Sequence, residues 1–195
     1  LGNYTIGYVT GTLLVNPAAL TITAGGWSKT YGQTAVFDGT TPSTDFTVVG
    51  LLNSDAVTSV ALVSTGAAGT APVTGSPYLI TPSAAVGTGL GNYTIGYVTG
   101  TLLVNPATLT ITAQPKSKTF GSADPPLTYV VSGLQLGDTE AGVLTGALTR
   151  AAGEAVGGYP ITQGGLAANS NYTINFTGST LTINPSANLN YSTDY

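Results

Sequence analysis

An internal duplication constrains this chain more than any other feature of its sequence. Residues 1–18, LGNYTIGYVTGTLLVNPA, recur without change at residues 90–107, and a diverged third copy, SNYTINFTGSTLTINPS, occupies residues 170–186. Self-similarity at a fixed spacing is typical of repeat proteins, in which each unit contacts mainly its neighbours. The sequence therefore predicts a tandem array, and its function is expected to arise from repetition rather than from a catalytic pocket.

The segment that follows each copy sets the boundaries of the repeats. LTITA occurs at residues 20–24 and again at residues 109–113. The first seventeen residues then end a preceding repeat, because a lone two-stranded hairpin is only marginally stable in water. The predicted divisions are a closing hairpin of a preceding repeat (1–17), two complete repeats (18–106 and 107–185) and a tail (186–195).

Apolar and polar residues alternate through most of each repeat, which indicates half-buried strands. In LTITA, for example, Leu109 faces one side of the strand and Thr110 faces the other. About six strands are expected in each repeat. The last two are predicted to form a hairpin whose tight turn contains Gly178, or Gly100 and Gly11 in the other copies.

One segment of each repeat departs from the alternation. Residues 50–60 align with residues 133–143, and both contain an aspartate, Asp55 or Asp138, before a short Ala/Val-containing stretch. An aspartate can cap a helix N-terminus, so a helix of one or two turns is predicted in both repeats. The predicted fold is mostly β, with tandem β-grasp-like units arranged in a rod, each with one short helix. An immunoglobulin-like sandwich is the alternative.

The junction between the repeats contains only Pro106, Ala107 and Thr108. Proline fixes its own φ angle and biases the preceding residue towards extended geometry, so this connector is expected to be short and stiff. Two separately folded units at a nearly fixed angle are therefore predicted.

The composition excludes most enzyme chemistry. The chain has no His, Cys or Met, and only 4 basic and 8 acidic residues among 195. The usual general base, thiolate nucleophile and zinc ligands are therefore missing, and no catalytic residue, cofactor or metal site is predicted. A net charge of −4 argues against nucleic acid as a partner. No apolar stretch is long enough to predict membrane insertion.

Four motifs in order carry a resemblance to a known family. They are SKTYG (28–32) or SKTFG (117–121), DPPLTYVVSGL with a following GD (124–138), GGYPIT (157–162) and SNYTINFTGSTLTINP (170–185). This pattern resembles the MBG domains of the YGX type, which are Gly-rich, mostly-β repeats of large bacterial surface proteins, including filamentous-haemagglutinin-like adhesins. The resemblance implies secretion to the bacterial cell surface, an adhesive or stalk role, and no catalytic residues.

Three functions are compatible with these features. The first is a non-catalytic stalk segment of a secreted surface adhesin, and the second is a structural subunit of an extracellular filament or sheath. The third is a carbohydrate-binding module. The expected partners are other repeats of the same protein, cell-surface glycans or proteins, or further copies of the chain in a filament.

Two groups of residues are candidates for more specific roles. Trp27, Tyr31 and Phe37 could contact a ligand, because an aromatic loop can stack on a sugar ring, and the second repeat lacks the tryptophan. Lys29 and Lys118 recur at one position and are candidates for an isopeptide bond to an asparagine beside a buried acid. A lysine whose stem covers strand residues is the alternative.

Two aromatic positions alternate between tyrosine and phenylalanine. Tyr31 is replaced by Phe120 in the second repeat, and Tyr97 is replaced by Phe176. Because the ring is retained and the hydroxyl is not, these rings are predicted to pack in the core without a chemical role for the oxygen.

Overall fold

The computed structural model describes residues 2–186, and the predicted mostly-β fold is confirmed. Apart from residue 186, the predicted tail lies outside the described residues. The first eight strands are β1 (Ala18–Ala24), β2 (Trp27–Thr30), β3 (Phe46–Val49), β4 (Ala56–Val63), β5 (Tyr78–Thr88), β6 (Tyr93–Val98), β7 (Gly100–Asn105) and β8 (Ala107–Ala113). The remaining strands and the α-helix are β9 (Lys116–Thr119), β10 (Tyr129–Ser132), α1 (Glu140–Val143), β11 (Leu144–Thr145), β12 (Thr149–Arg150), β13 (Gly157–Thr162), β14 (Ala167–Ala168), β15 (Tyr172–Thr177) and β16 (Ser179–Asn184). Two short 3-10 helices lie at Val73–Gly75 and Leu90–Asn92.

The opening and closing strands of each repeat pair in parallel. β6 lies beside β1 with Tyr93 opposite Ala18, and β7 lies beside β2 with Leu102 opposite Trp27. The second repeat has the same arrangement, because β15 pairs with β8 and β16 pairs with β9, both in parallel. We call β1 and β2 the opening strands of the first repeat, and β6 and β7 its closing strands.

The predicted closing hairpin is therefore wrong. Within residues 2–186, the structure pairs neither β6 with β7 nor β15 with β16, because each closing strand pairs with a different opening strand. The glycine at the joint is needed for a close approach between backbones rather than for a hairpin turn. A Cβ atom on Gly100 would lie 2.0 Å from the carbonyl oxygen of Gly25.

The described residues form two compact units, and their boundaries differ from those of the sequence repeats. The repeat boundaries at 18–106 and 107–185 stay a sequence prediction. The first unit contains residues 2–26, 37–63 and 80–100, and the second contains residues 27–36, 64–79 and 101–186.

The first unit is built around β1. This strand is flanked by antiparallel β3 and parallel β6, while β4 and β5 form an antiparallel pair. The helix predicted over residues 50–60 is wrong, because β4 begins at Ala56 and buries Val57 and Val60. The core of this unit contains Leu20, Ile22, Phe46, Val57, Val60 and Tyr93.

The second unit contains a three-stranded sheet ordered β10-β8-β15 and a four-stranded sheet ordered β12-β13-β16-β9. The helix predicted within residues 133–143 is confirmed as the single turn α1. Its cap is Thr139, whose side chain accepts a hydrogen bond from the Gly142 amide, so the capping role predicted for Asp138 is wrong. The largest fully buried side chains of this unit include Leu109, Ile111, Ile161, Leu166, Leu181 and Ile183.

The first copy of the duplicated segment does not form strands. Residues 2–17 contain no strand and are exposed along their whole length, so the hairpin predicted for residues 1–17 is absent from the described residues 2–17. The same sequence at residues 91–106 contains β6 and β7. Because the local sequence is identical, the difference arises from pairing with the opening strands, which residues 2–17 lack.

We predict that Gly100→Ala lowers the free energy of unfolding by about 1–3 kcal/mol, because the added methyl group would overlap the Gly25 carbonyl oxygen. Gly11→Ala is a matched control, since Gly11 has the same neighbours in sequence and open space around its Cβ position. It should change stability by less than about 0.5 kcal/mol. Urea denaturation of both variants measures the difference, and equal effects would contradict the role given to Gly100.

Candidate functional site

Each repeat contains a tight turn with the pattern G-L-x-x-x-D, beginning at Gly50 or Gly133. Both glycines have positive φ angles, 108° and 99°. A Cβ atom on Gly50 would lie 2.3 Å from the Ala19 carbonyl oxygen, and one on Gly133 would lie 2.5 Å from that of Thr108. Glycine is therefore required at this position in both repeats, for its backbone conformation and for the close approach to the first strand.

The turn of the first unit binds a tyrosine from the closing strands. The hydroxyl oxygen of Tyr93 accepts a hydrogen bond from the Leu52 amide at 2.8 Å. The hydroxyl also lies 2.9 Å from Asp55 Oδ2, to which it donates. Tyr93 is buried, and burial raises its pKa above the ordinary value. We call this contact the tyrosine–aspartate pair of the first repeat.

The second repeat has an equivalent tyrosine–aspartate pair. The Tyr172 hydroxyl accepts from the Gln135 amide at 2.8 Å and donates to Asp138 Oδ2 at 2.6 Å. Burial, followed by the hydrogen bond to Asp138, raises the pKa of Tyr172 to about 12. A phenol with this pKa stays protonated at neutral pH, so the Tyr172 hydroxyl donates to Asp138 there and does not act as a general base.

A second tyrosine joins the same aspartate in the second unit. Tyr31 Oη lies 3.1 Å from Asp138 Oδ2, and its ring meets that of Tyr172 edge to face at 5.5 Å between centroids. Burial and the contact with Asp138 raise the pKa of Tyr31. The hydroxyl therefore has a defined bonding role, which the tyrosine-to-phenylalanine comparison did not predict. That comparison is correct for the buried Tyr31 ring and wrong for Phe120, which is 52% exposed.

The two lysines proposed for isopeptide chemistry both point into the protein. Lys29 Nζ donates to the backbone oxygens of Gln33 and Ala68, and burial lowers its pKa. Lys118 Nζ instead lies 2.6 Å from Asp124 Oδ1 and 2.5 Å from Glu154 Oε2.

Arg150 completes a group of four charges around Lys118. Its Nε donates to Asp124 Oδ2 at 2.6 Å, and its guanidinium also pairs with Glu154. The hydrogen bonds from Arg150 and Lys118 lower the pKa of Asp124 to about 2, and the same two cations lower the pKa of Glu154. The buried lysine is thus neutralised within a set of two cations and two carboxylates.

The contacts of the two lysines lend no support to an isopeptide bond. Among residues 2–186, no hydrogen bond joins either lysine to an asparagine side chain. The isopeptide hypothesis for Lys29 and Lys118 stays a prediction.

The structure places the three proposed ligand-contact residues in different environments. Trp27 lies half-buried on β2, Tyr31 is buried, and Phe37 is half-buried and belongs to the first compact unit. Because the Tyr31 ring is only 7% exposed, little of it is open to stacking on a sugar. Ligand contact by Trp27 and Phe37 stays a prediction.

Comparison with known proteins identifies the family. The model of the MBG domain (YGX type) matches residues 20–103 and residues 109–182. The chain belongs to the MBG family. No curated protein and no solved structure matches it significantly. The family match supports a structural repeat domain of surface proteins.

Among residues 2–186, no three acidic side chains come together as a candidate metal site. The same residues include no helix that is long and apolar enough to cross a membrane.

The partners of the two recurring aspartates were not predicted from the sequence. Asp55 and Asp138 stood out because they recur, and Tyr93 and Tyr172 recur at matching positions in the closing segments. Because the tyrosine and the aspartate recur together in both repeats, their joint recurrence indicates a contact between them. A helix cap, in contrast, involves only neighbours along the chain.

We predict that Tyr93→Phe lowers the free energy of unfolding by about 1–3 kcal/mol, because it leaves Asp55 and the Leu52 amide without their partner. Tyr4→Phe is the matched control, since Tyr4 has the same neighbours in sequence but is exposed. Chemical denaturation of both variants measures the effect. Equal stability of the two variants would show that the tyrosine–aspartate pair contributes nothing.

We predict that stability falls at alkaline pH because of the tyrosine–aspartate pairs. Folding raises the pKa of Tyr172 from 10.0 to about 12, so the folded state binds its proton more tightly. The contribution of the Tyr172 proton to the free energy of unfolding is complete below pH 10 and is lost as the pH rises through about 12. In Tyr172→Phe, the unfolding free energy should fall less steeply over this range than in the wild type and in the exposed control Tyr8→Phe. Identical slopes in all three proteins would exclude this contribution.

Proposed function

We propose that the chain is a non-catalytic stalk segment of a secreted bacterial surface adhesin, which holds a binding region away from the cell. The family match supports a repeat domain of surface proteins. A stalk requires repeats that do not hinge freely at their connections. The structure of the connection between the two repeats is the observation that carries this proposal.

The connection lies within the second compact unit. Pro106 alone separates the end of β7 from the start of β8. Val104 and Ala107, on either side of it, both belong to the hydrophobic core of this unit. The backbone is also held on both sides, because Asn105 O accepts from the Tyr31 amide at 2.8 Å and the Ala107 amide donates to Asn171 O at 2.9 Å. Hinging at Pro106 would therefore break core packing and hydrogen bonds.

The chemistry of the side chains supports the same proposal. The two tyrosine–aspartate pairs and the group around Lys118 use their charged and polar atoms in internal contacts. These contacts stabilise the repeats and leave few reactive groups. In this proposal, cell-surface glycans or proteins are partners of the adhesin's binding region, and other repeats are the partners of this segment.

A structural subunit of an extracellular filament is the second candidate. The exposed segment over residues 2–17 favours it, because large apolar side chains lie in water there, including Leu13 and Val15. Such a segment suits self-assembly better than an isolated spacer.

The stalk proposal is tested by displaying the chain on bacteria between a membrane anchor and a known binding domain. We expect capture of target beads to increase as one, two and three copies of the chain are inserted. A Gly/Ser stretch of about ten residues placed between Pro106 and Ala107 should reduce capture, because it frees the connection. The same stretch between Gly11 and Thr12, in the exposed segment, is the length-matched control.

Capture that is independent of copy number would contradict the stalk function. Adhesion by the chain without a binding domain would instead indicate that the repeats bind ligand themselves. Sedimentation at several concentrations distinguishes the stalk from the filament. The filament candidate predicts that the purified chain assembles as its concentration rises, and the stalk candidate predicts that it does not.

A further inference from the structure

We propose that residues 4–15 are a strand donor that pairs with the opening strands of the first repeat in a second copy of this chain. We call residues 4–15 the donor segment. The donor segment would occupy the positions that β6 and β7 occupy in the structure. The partner it fits is thus a second copy whose own closing strands have been displaced.

The same sequence occurs in two environments, exposed at residues 4–15 and paired with the opening strands at residues 93–104. Val104 is 3% exposed in β7, whereas Val15, its counterpart, is 79% exposed. Leu102 is completely buried, whereas Leu13 is 89% exposed. The structure therefore contains both an unpaired segment and the surface that binds the same sequence.

The register of the exchanged contact follows from the identity of the segments. Tyr4 would lie opposite Ala18 of the second copy, as Tyr93 does, with its hydroxyl beside the Asp55 carboxylate. Leu13 and Val15 would take the positions of Leu102 and Val104 opposite β2. Each apolar side chain and the tyrosine hydroxyl would then have the partner that its counterpart has.

The donor segment cannot close the opening strands of its own copy. It runs directly into β1 through Asn16 and Pro17, as β7 runs into β8 through Pro106. A parallel neighbour requires a crossover of about a dozen residues or more, and no such crossover separates the donor segment from β1. The opening strands of the second repeat are already paired with β15 and β16. Within residues 2–186, no opening strands of the same copy are open to the donor segment, whereas those of the first repeat in a second copy bind a segment of identical sequence.

The closing strands of the second copy compete for the same position. They have the same sequence but are tethered, and tethering gives an effective concentration in the millimolar range. Exchange is therefore favoured where copies are crowded or where the closing strands are weakened. Because the contact joins two different surfaces, it is heterologous and can extend from copy to copy.

Four full-length chains test the proposal. They are the wild type, Leu102→Asp/Val104→Asp, Leu13→Asp/Val15→Asp, and the variant with all four substitutions. The first double variant weakens the closing strands and leaves the donor segment intact, and the second does the reverse. The identical sequences make the two double variants matched controls for each other.

We expect the wild type and Leu13→Asp/Val15→Asp to be folded monomers at low concentration. Leu102→Asp/Val104→Asp should recover the wild-type circular dichroism spectrum only as concentration rises, together with oligomers detected by light scattering. The fourfold variant should recover neither. Hydrogen exchange should show protection of residues 4–15 in the oligomers and not in the monomers.

A peptide of residues 1–17 provides an independent measurement on the fourfold variant, which lacks both intact segments. The peptide should restore the spectrum with saturable binding, and a peptide with Leu13→Asp/Val15→Asp should not. Identical behaviour of Leu102→Asp/Val104→Asp and the fourfold variant would overturn the proposal, as would a peptide without effect. The stalk function is tested through copy number and the Pro106 insertion, so failure here leaves that proposal standing.

Discussion

The parallel pairing of opening and closing strands is the interaction on which the rest of each repeat depends. It places Tyr93 and Tyr172 at the turns that end in Asp55 and Asp138. Without this pairing the same sequence, at residues 2–17, forms no strand. The closing segment therefore gains its structure from contacts with residues about 75 positions earlier, as the register of Ala18 with Tyr93 illustrates. Such distant contacts must overcome the entropy of closing a long loop.

The two repeats place a lysine at the same inward position but provide its ammonium group with different hydrogen-bond acceptors. Lys29 relies on two backbone carbonyl oxygens, whereas Lys118 relies on Asp124 and Glu154, which Arg150 also contacts. An inward lysine must find partners because burying an unpaired charge is costly. Burial dominates at Lys29 and lowers its pKa, while the carboxylates raise that of Lys118. The position is therefore set by the strand register, and each repeat has acquired its own set of acceptors.

The sequence predicted the strands well because burial on one face leaves a period of two, as in β1 and β8. It did not predict their partners, because this alternation is the same whether a strand pairs with its neighbour or with a distant strand. The hairpin predicted at Gly178 is wrong for that reason, because strands that are close in sequence need not pair with each other. The helix at residues 50–60 failed because an aspartate can accept from a helix terminus or from a tyrosine hydroxyl. Only the distant position of Tyr93 decides between these two roles for Asp55.

The divergence of the third copy bears on how closing segments select their opening strands. The tyrosine and leucine that face inward are retained as Tyr172 and Leu181, whereas Val104 is replaced by the larger Ile183, which is also buried. An additional methylene in a filled core costs about 1–3 kcal/mol, and a valine in place of a buried isoleucine leaves a cavity that costs about 0.5–1.5 kcal/mol. Each closing segment should therefore prefer the core in which it is found. Residues 1–17 retain the valine, as Val15, and therefore match the first repeat rather than the second. Identity of sequence permits exchange between copies, and the valine-to-isoleucine difference disfavours exchange between repeats.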